Sequence, residues 1–312
     1  IDIPAFYMDF EAYRARDPEF KSTTRDVYNL VEELTEANVD GIVLDLRNNG
    51  GGSLYEATSL TDLFIDYGPV VQIRDAEQKV YRNHRASRRA AYSGPLIVMI
   101  NRLSASASEI FSGALQDYGR ALIVGTQSFG KGTVQEVAEL SEGQLKMTIS
   151  KFYRVSGDST QHRGVIPDIA FPSLHDIEKI GESEQDNALP WDRIHRVPHQ
   201  TQDHLTPYVA PLTASHLKRR SADPDFASLV ERIKLSDDWG MDKSLSLNLE
   251  QRRARSERWD IGLFESENKR LIAKGEEPFA DLTAWKDTDE EDEENDEENE
   301  KESITENDQE DT

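Results

Sequence analysis

Apolar and polar positions in the first 172 residues alternate between the periods of helices and strands. Residues 24–38 repeat apolar side chains at the 3.6-residue period of an amphipathic helix, at Val27, Leu30, Val31 and Leu34. Short apolar runs predict buried strands at residues 41–46, 95–100 and 121–124. Helices and strands that succeed one another in this way predict an α/β domain.

The remaining elements of this domain have weaker patterns. We predict helices at residues 55–65 and 109–118, an opening strand at 1–8, a hairpin of 70–73 with 80–81, and an alternating strand at 145–155. Each helix has one apolar side that a sheet can cover. The domain is therefore expected to bury one continuous core.

The character of the chain changes after residue 172. Residues 173–211 are polar and proline-rich and predict loops, whereas residues 223–272 predict two or three charged helices. From residue 287 the sequence is almost purely acidic, which is typical of disorder. We therefore predict an α/β core at residues 1–180, a loop-rich and then helical region at 181–285, and a disordered acidic tail at 286–312.

Charge and composition exclude several function classes. The net charge is −24, of which residues 286–312 carry −14. The absence of a basic stripe argues against nucleic-acid binding. The chain has no cysteine, which excludes disulfides, thiol catalysis and Cys-ligated zinc. It also lacks an apolar run of the ~20 residues that a transmembrane helix needs.

A serine cluster and a glycine-flanked lysine carry the candidate chemistry. Ser104, Ser106 and Ser108 lie between a predicted strand and a predicted helix, and Lys131 follows the next strand. A serine hydroxyl needs a base before it can attack, and a lysine of depressed pKa can be that base. At the start of the helix, the N–H of Ala107 is an unsatisfied donor suited to stabilising an oxyanion.

The blocks S-A-S-A-S-E-I-F and F-G-K-G-T-V-Q, at this separation, resemble the carboxy-terminal processing proteases, also called tail-specific proteases. The resemblance implies a Ser-Lys dyad, with the middle serine, Ser106, as nucleophile and Lys131, 25 residues later, as base. It further implies that Asp117 is an acidic helper and that Gln135 positions the lysine. The loop N-N-G-G-G at residues 48–52 resembles the family's second source of oxyanion donors, for which we select Gly51.

The same resemblance implies the fold, partners and location. We expect a crotonase-like or Clp-protease-like core, a serine endopeptidase that needs no metal or other cofactor, and substrates recognised by an apolar C-terminal tail. The tail-specific branch is periplasmic, and a lipoprotein adaptor is a conceivable partner. The family places a PDZ domain, which grips substrates by strand addition, before this region. Because the chain begins at Ile1 rather than Met, we expect a fragment or a processed product.

Three other hypotheses compete with the Ser-Lys protease. The segment G-T-Q-S-F-G-K at residues 125–131 fits a P-loop, but Gly132 stands where the Mg²⁺-binding hydroxyl belongs, and no helix is predicted there. A histidine mechanism would use His162 and Asp168, although a structural or substrate-lining role suits His162 better. The third reading is a non-catalytic peptide-binding or scaffold fragment, whose groove survives without an aligned dyad.

Overall fold

The structure is a computed structural model that describes residues 1–82, 89–175, 178–202, 205–241 and 244–288. The chain divides into two compact units, Ile1–Ser215 and His216–Thr312. The first unit is mixed α/β and the second is helical, which confirms the predicted fold class. The predicted boundary at residue 180 stays a prediction, because the division into compact units does not test where the predicted α/β core ends.

The described helices are α1 (Phe10–Ala15), α2 (Thr23–Glu36), α3 (Leu54–Thr61), α4 (Ala107–Asp117), α5 (Thr206–Arg220), α6 (Pro224–Met241) and α7 (Leu249–Lys274). The described strands are β1 (Ile42–Asp45), β2 (Gln72–Asp75), β3 (Val80–Arg82), β4 (Leu96–Ile100), β5 (Leu122–Gly125), β6 (Thr133–Glu139), β7 (Gln144–Tyr153) and β8 (Ile169–Ala170). A 3₁₀ turn lies at Glu182–Glu184, and residues 282–288 are helical.

A parallel sheet forms the centre of the first unit. Its strand order is β1-β4-β5-β8, and every neighbouring pair is parallel. The predicted strands at 41–46, 95–100 and 121–124 are all confirmed as members of this sheet. Their apolar side chains pack with those of α2, α3 and α4 into one core, which includes Leu44, Val98, Phe111 and Ile123.

An antiparallel sheet forms the second layer, in the order β3-β2-β7-β6. The predicted hairpin is confirmed as β2 and β3, which pair from Gln72 with Arg82 to Arg74 with Val80. Strands β6 and β7 form a longer ribbon that pairs from Thr133 to Glu139. Because β6 begins two residues after Lys131, this ribbon connects the candidate lysine to the second sheet.

Two predicted elements differ from the structure. Residues 1–8 are not a continuous strand: isolated bridges join Asp2 to Asp45 and Phe6 to Gly52, so the segment meets its neighbours one residue at a time. The predicted loops at 173–211 are wrong at their end, because α5 begins at Thr206 and includes Pro211. Pro207 occupies the first turn, where a missing N–H costs a helix nothing.

The second unit is built on a pair of helices, as predicted for residues 223–272. Gly262 of α7 lets the side chain of Leu235 of α6 approach closely, and Ser228 and Ser266 exchange a hydrogen bond of 3.2 Å between buried hydroxyls. Asp225 accepts from Arg270 and Lys274. The predicted acidic tail falls outside the described residues from residue 289 onward, and its first residues, 286–288, are helical.

No helix within the described ranges is both long enough and apolar enough to cross a membrane.

Strand β1 offers a test of which face of the parallel sheet supports the core. Leu44 is fully buried, whereas Val43 beside it is 44% exposed. We expect Leu44→Ala to lower the free energy of unfolding by about 2–5 kcal/mol, because a cavity is left in the core. Val43→Ala should lower it by less than about 1 kcal/mol. Urea denaturation measures both, and equal losses would contradict the assigned faces.

Candidate active site

The backbone at Ser106 is strained in a way that exposes its side chain. Strand β4 ends at Ile100, and α4 begins at Ala107, so the serine lies at the cap of the helix with φ 54° and ψ −107°. This left-handed region is rarely used by residues other than glycine and costs of the order of 1–3 kcal/mol. The N–H of Ser106 donates to Glu109 Oε2 at 2.8 Å, which holds this conformation in place.

Hydrogen bonding separates the three serines of the cluster. Ser104 Oγ donates to Leu46 O at 2.7 Å, and Ser108 Oγ donates to Asn49 O at 2.9 Å. Both side chains are fully buried, so neither hydroxyl can reach a substrate. Ser106 is partly exposed and lines a cavity. The family resemblance selected Ser106 from the three serines, and burial distinguishes the same residue from the other two.

Ser106 and Lys131 line the same cavity, whose volume is about 510 Å³. Gln135 and Lys146 contribute polar groups to it, and its apolar walls come from Tyr55, Ile110, Val134 and Phe152. A second cavity of about 700 Å³ shares Lys131 and Gln135 and extends to residues 182–189. Lys131 therefore lies between two cavities and lines both of them.

Lys131 has the environment that a general base requires. Burial lowers the pKa of its ammonium, and the nearby charge of Lys146 lowers it further, while Glu182 and Glu109 act in the opposite direction. Its Nζ donates to Gln135 Oε1 at 3.1 Å, and Gln135 Nε2 donates to Thr148 Oγ1 at 3.4 Å. In the described part of the chain no hydrogen bond joins Nζ to Ser106 Oγ.

The buried carboxylate of Glu109 joins the loop that carries Ser106 to the loop that carries Lys131. Its Oε2 accepts from the N–H groups of Ser106 at 2.8 Å and Lys131 at 2.9 Å. Its Oε1 accepts from Ser128 Oγ at 2.5 Å and the N–H of Gly130 at 2.7 Å. Burial raises the pKa of Glu109 to about 7, although all four donors favour the charged form.

Glu109 was not selected from the sequence. A signal was nevertheless present, because serine followed three residues later by glutamate is the pattern of a capping box. Ser106 and Glu109 have this spacing at the start of α4. The pattern does not predict the hydrogen bonds of Glu109 with Gly130 and Lys131, because these two residues belong to another loop.

The predicted oxyanion donors are only partly as expected. Within the described residues, the N–H of Ala107 has no hydrogen-bond acceptor, as an oxyanion donor requires. The N–H of Gly51 instead donates to Asn49 Oδ1 at 2.9 Å. Gly51 has φ 108°, and a Cβ there would lie 2.9 Å from Ser106 Cβ, so glycine is needed for close packing. Gly50 and Gly52 line the cavity beside it.

Asp117 is not brought to the other predicted residues. It ends α4, so it lies about 16 Å along the helix axis from Ser106. Its carboxylate accepts two hydrogen bonds from Arg154, at 2.6 and 3.1 Å. This ion pair fastens the far end of the helix to the segment that follows β7. Asp117 therefore holds the end of α4 through Arg154, and none of the hydrogen bonds among the described residues joins it to Ser106, Lys131 or Gln135.

The two rival motifs do not form their sites. Asp168 accepts from Gln116 and from the N–H of Ile123, and in the part of the chain that is described no hydrogen bond joins it to His162. The N–H of His162 donates to Gly130 O at 2.8 Å. Lys131 is followed by strand β6 rather than by the helix that a P-loop requires. Among the described residues, no group of three or more His, Asp or Glu side chains is arranged to hold a metal ion.

Comparisons with known proteins show which family the chain resembles. Residues 2–171 match the profile of peptidase family S41, and residues 175–312 match the C-terminal domain of tail specific protease (DUF3340). The tail-specific protease of Haemophilus influenzae is 40% identical over 294 residues, which are 90% of this chain and 40% of that protein. The carboxy-terminal-processing protease of Bartonella bacilliformis is 43% identical over 152 residues, covering 48% of this chain and 35% of that protein.

Among solved structures, the photosystem II D1 C-terminal processing protease matches with a TM-score of 0.46 and 31% identity, covering 56% of this chain and 43% of that chain. The chain thus spans 40% or less of the length of the Haemophilus influenzae and Bartonella bacilliformis relatives.

The role of Glu109 can be tested through stability. Glu109→Gln keeps the size of the side chain, but its amide has one acceptor oxygen where four donors converge. We expect a loss of about 2–4 kcal/mol in the free energy of unfolding, because buried N–H groups are left unpaired. Glu136→Gln, at an exposed position of β6, is the matched control and should change little. Urea denaturation of both variants is the measurement; equal stabilities would contradict the bridging role.

Proposed function

Because the chain belongs to peptidase family S41, we propose that it is a serine endopeptidase in which Ser106 attacks a peptide carbonyl and Lys131 removes its proton. One observation carries the proposal. Ser106 is the serine of its cluster that reaches the cavity, and the same cavity holds Lys131 in surroundings that lower the pKa of its ammonium. Nucleophile and base are thus present at one surface.

The first half of the proposed reaction forms an acyl-enzyme. Ser106 Oγ bonds to the carbonyl carbon while its proton passes to Lys131 Nζ. The N–H of Ala107 and a donor from the loop at residues 48–52 stabilise the oxyanion that develops. When the tetrahedral intermediate collapses, the lysine ammonium donates its proton to the leaving amine, and the C–N bond breaks.

The second half releases the acyl group. A water molecule loses its proton to the neutral Lys131 and attacks the ester carbonyl, and the same donors stabilise the second oxyanion. The proton then returns to Ser106 Oγ as the ester bond breaks. The lysine acts twice as base and twice as acid, so its side chain must stay in place through both steps. Gln135, which accepts from Nζ, is suited to hold it there.

The second oxyanion donor is proposed to be Gly50 or Gly52 of the loop at residues 48–52, in place of Gly51. Both line the cavity, and within the described residues neither N–H has a hydrogen-bond acceptor, whereas the N–H of Gly51 has one. The role of Gly51 is then to let the backbone pack closely against Ser106. Asp117 is proposed to act through Arg154, by fixing the end of α4 whose start carries the nucleophile.

The substrates, partners and location of the protein belong to the same proposal. The names of the relatives support proteolysis directed at the C-terminal tail of a protein. That this tail is apolar is proposed from the family resemblance alone. A periplasmic location and a lipoprotein adaptor follow from the same resemblance. Since the chain spans 40% of the Haemophilus influenzae relative, the grip on the tail is expected from parts of such proteins beyond this region.

A scaffold that binds peptides without cleaving them is the alternative that needs an experiment. Treatment with a fluorophosphonate separates the two, because the reagent bonds covalently to an activated serine and leaves an inert one unmodified. We expect labelling of the wild type at Ser106, accompanied by cleavage of casein. Peptide binding with neither labelling nor cleavage would favour the scaffold.

The serine assignment predicts distinct outcomes at neighbouring positions. Ser106→Ala should abolish cleavage and fluorophosphonate labelling with little change in stability, because its side chain is small and partly exposed. Ser108→Ala should retain activity but lose about 1–2 kcal/mol of stability, since a buried hydrogen bond is removed. If Ser108→Ala is folded yet inactive, while Ser106→Ala still cleaves, the assignment is wrong.

The lysine assignment predicts a dependence on pH. Activity should rise with pH through the pKa of Lys131, because only the neutral amine accepts a proton. Lys131→Arg keeps a positive charge but cannot lose its proton, since guanidinium has a pKa above ~12. Both Lys131→Arg and Lys131→Ala should be inactive at every pH from 6 to 10. Substantial turnover by Lys131→Arg would indicate an electrostatic role and would exclude the base.

A further inference from the structure

A second lysine lies in the catalytic cavity and takes no part in the reaction described above. Lys146 lines the cavity of about 510 Å³ together with Ser106, Lys131 and Gln135. It belongs to β7, which pairs with β6 in the ribbon that begins just after Lys131. The sequence offered no reason to select it, since it stands in an alternating strand far from both motifs.

The register of the ribbon explains why Lys146 faces the cavity. Side chains two residues apart in a strand point to the same face, so Lys146 and Thr148 lie on one side of β7. Thr148 Oγ1 accepts from Gln135, and Gln135 Oε1 accepts from Lys131 Nζ. The face of β7 that carries Lys146 is therefore the face that the hydrogen-bond network of Lys131 already contacts.

The ammonium of Lys146 has no acceptor and no ion pair within the described part of the chain. The charged groups that act on Lys131 come from three elements: Lys146 from β7, Glu109 from α4 and Glu182 from the 3₁₀ turn. The two carboxylates favour the ammonium form of Lys131. Lys146 is the cation that opposes them.

We propose that Lys146 is a positioning residue that keeps Lys131 in its neutral, proton-accepting form by like-charge repulsion across the cavity. This inference rests on the proposed function, since it concerns the base of that reaction. Protonation of Lys131 would place two ammonium groups in one cavity, which costs free energy. Removal of the Lys146 charge leaves the two carboxylates unopposed.

The asymmetry between the two lysines decides which of them gives up its proton. Lys146 is exposed, so water solvates its charge, whereas Lys131 is partly buried and loses much of that solvation. Desolvation lowers the pKa of Lys131 first, and the repulsion adds to it. Because Lys146 faces water, salt should weaken its effect, as the screening length is about 8 Å at physiological ionic strength.

Charge substitutions at Lys146 test the proposal. We would measure kcat/KM from pH 6 to 10 on an uncharged peptide for the wild type, Lys146→Gln, Lys146→Glu and Lys146→Arg. Lys146→Gln should lower the rate at pH 7 by about threefold and Lys146→Glu by about tenfold. Both losses should vanish on the high-pH plateau, and Lys146→Arg should match the wild type. Lys79→Gln, which removes an exposed lysine from the β2–β3 hairpin, is the control and should match it also.

The ionic-strength dependence is an independent measurement. In the wild type at pH 7, added salt should slow the reaction, because it screens the repulsion that keeps Lys131 neutral. Lys146→Gln should respond less, and Lys146→Glu should respond in the opposite direction. An identical salt dependence in the wild type, Lys146→Gln and Lys146→Glu would overturn the proposal.

Other outcomes would also overturn it. An unchanged pH profile in Lys146→Gln and Lys146→Glu would mean that the charge does not act on the base. An equal loss at every pH would indicate a contact with substrate or a packing role. If Ser106→Ala and Lys131→Arg are inactive while the Lys146 variants keep the wild-type profile, this inference fails and the proposed function stands. If Lys131→Arg turns over, the proposed function itself fails.

Discussion

The hydrogen bonds to the Glu109 carboxylate are the interaction on which the candidate site depends. Four donors from two separate loops converge on this one buried side chain. A buried charge is costly unless it is fully hydrogen-bonded, so the loops must both be in place for the carboxylate to be tolerated. The strained backbone of Ser106 and the loop before Lys131 thus stabilise each other through Glu109. Ser106 and Lys131, the proposed nucleophile and base, are thereby held in place without a hydrogen bond between their side chains in the described structure.

The parallel sheet explains why these loops meet at all. Strands β1, β4 and β5 are neighbours in that order and run in the same direction, so their carboxyl ends lie at one edge of the sheet. The glycine loop at residues 48–52 follows β1, the serine loop follows β4, and the lysine loop follows β5. Each strand is followed by one component of the proposed site: the oxyanion donors, the nucleophile and the base. The ribbon of β6 and β7 then covers the lysine from the antiparallel layer and adds Gln135 and Lys146.

Hydrophobic periodicity was sufficient to predict the elements that bury a continuous face, such as β4 and α4, because their apolar positions in the sequence are the positions buried in the fold. Hydrophobic periodicity failed for segments whose conformation is determined by tertiary contacts. Residues 1–8 have the composition of a strand, yet they pair only at single residues, since their partners Asp45, Gly52 and Ser22 lie in three separate segments of the chain. Pro211 argued for a loop, but α5 tolerates it. Ser106 and Lys131 could be chosen by motif, whereas the direction of the Gly51 N–H and the bridging by Glu109 depend on chain segments that meet only in the fold.

The electrostatics of Lys131 reconcile two opposed requirements of the proposed reaction. A protease cavity must be open enough to admit a peptide, but an open cavity solvates the lysine and favours its ammonium form. Here partial burial supplies some desolvation of Lys131. The repulsion from Lys146 adds to it without requiring a more closed cavity. A peptide that fills the cavity displaces water from around Nζ and strengthens the desolvation at the moment when a neutral base is needed. The carboxylates of Glu109 and Glu182 act against this, since they favour the protonated lysine. They limit how far the equilibrium moves, so the same side chain can return the proton to the leaving amine.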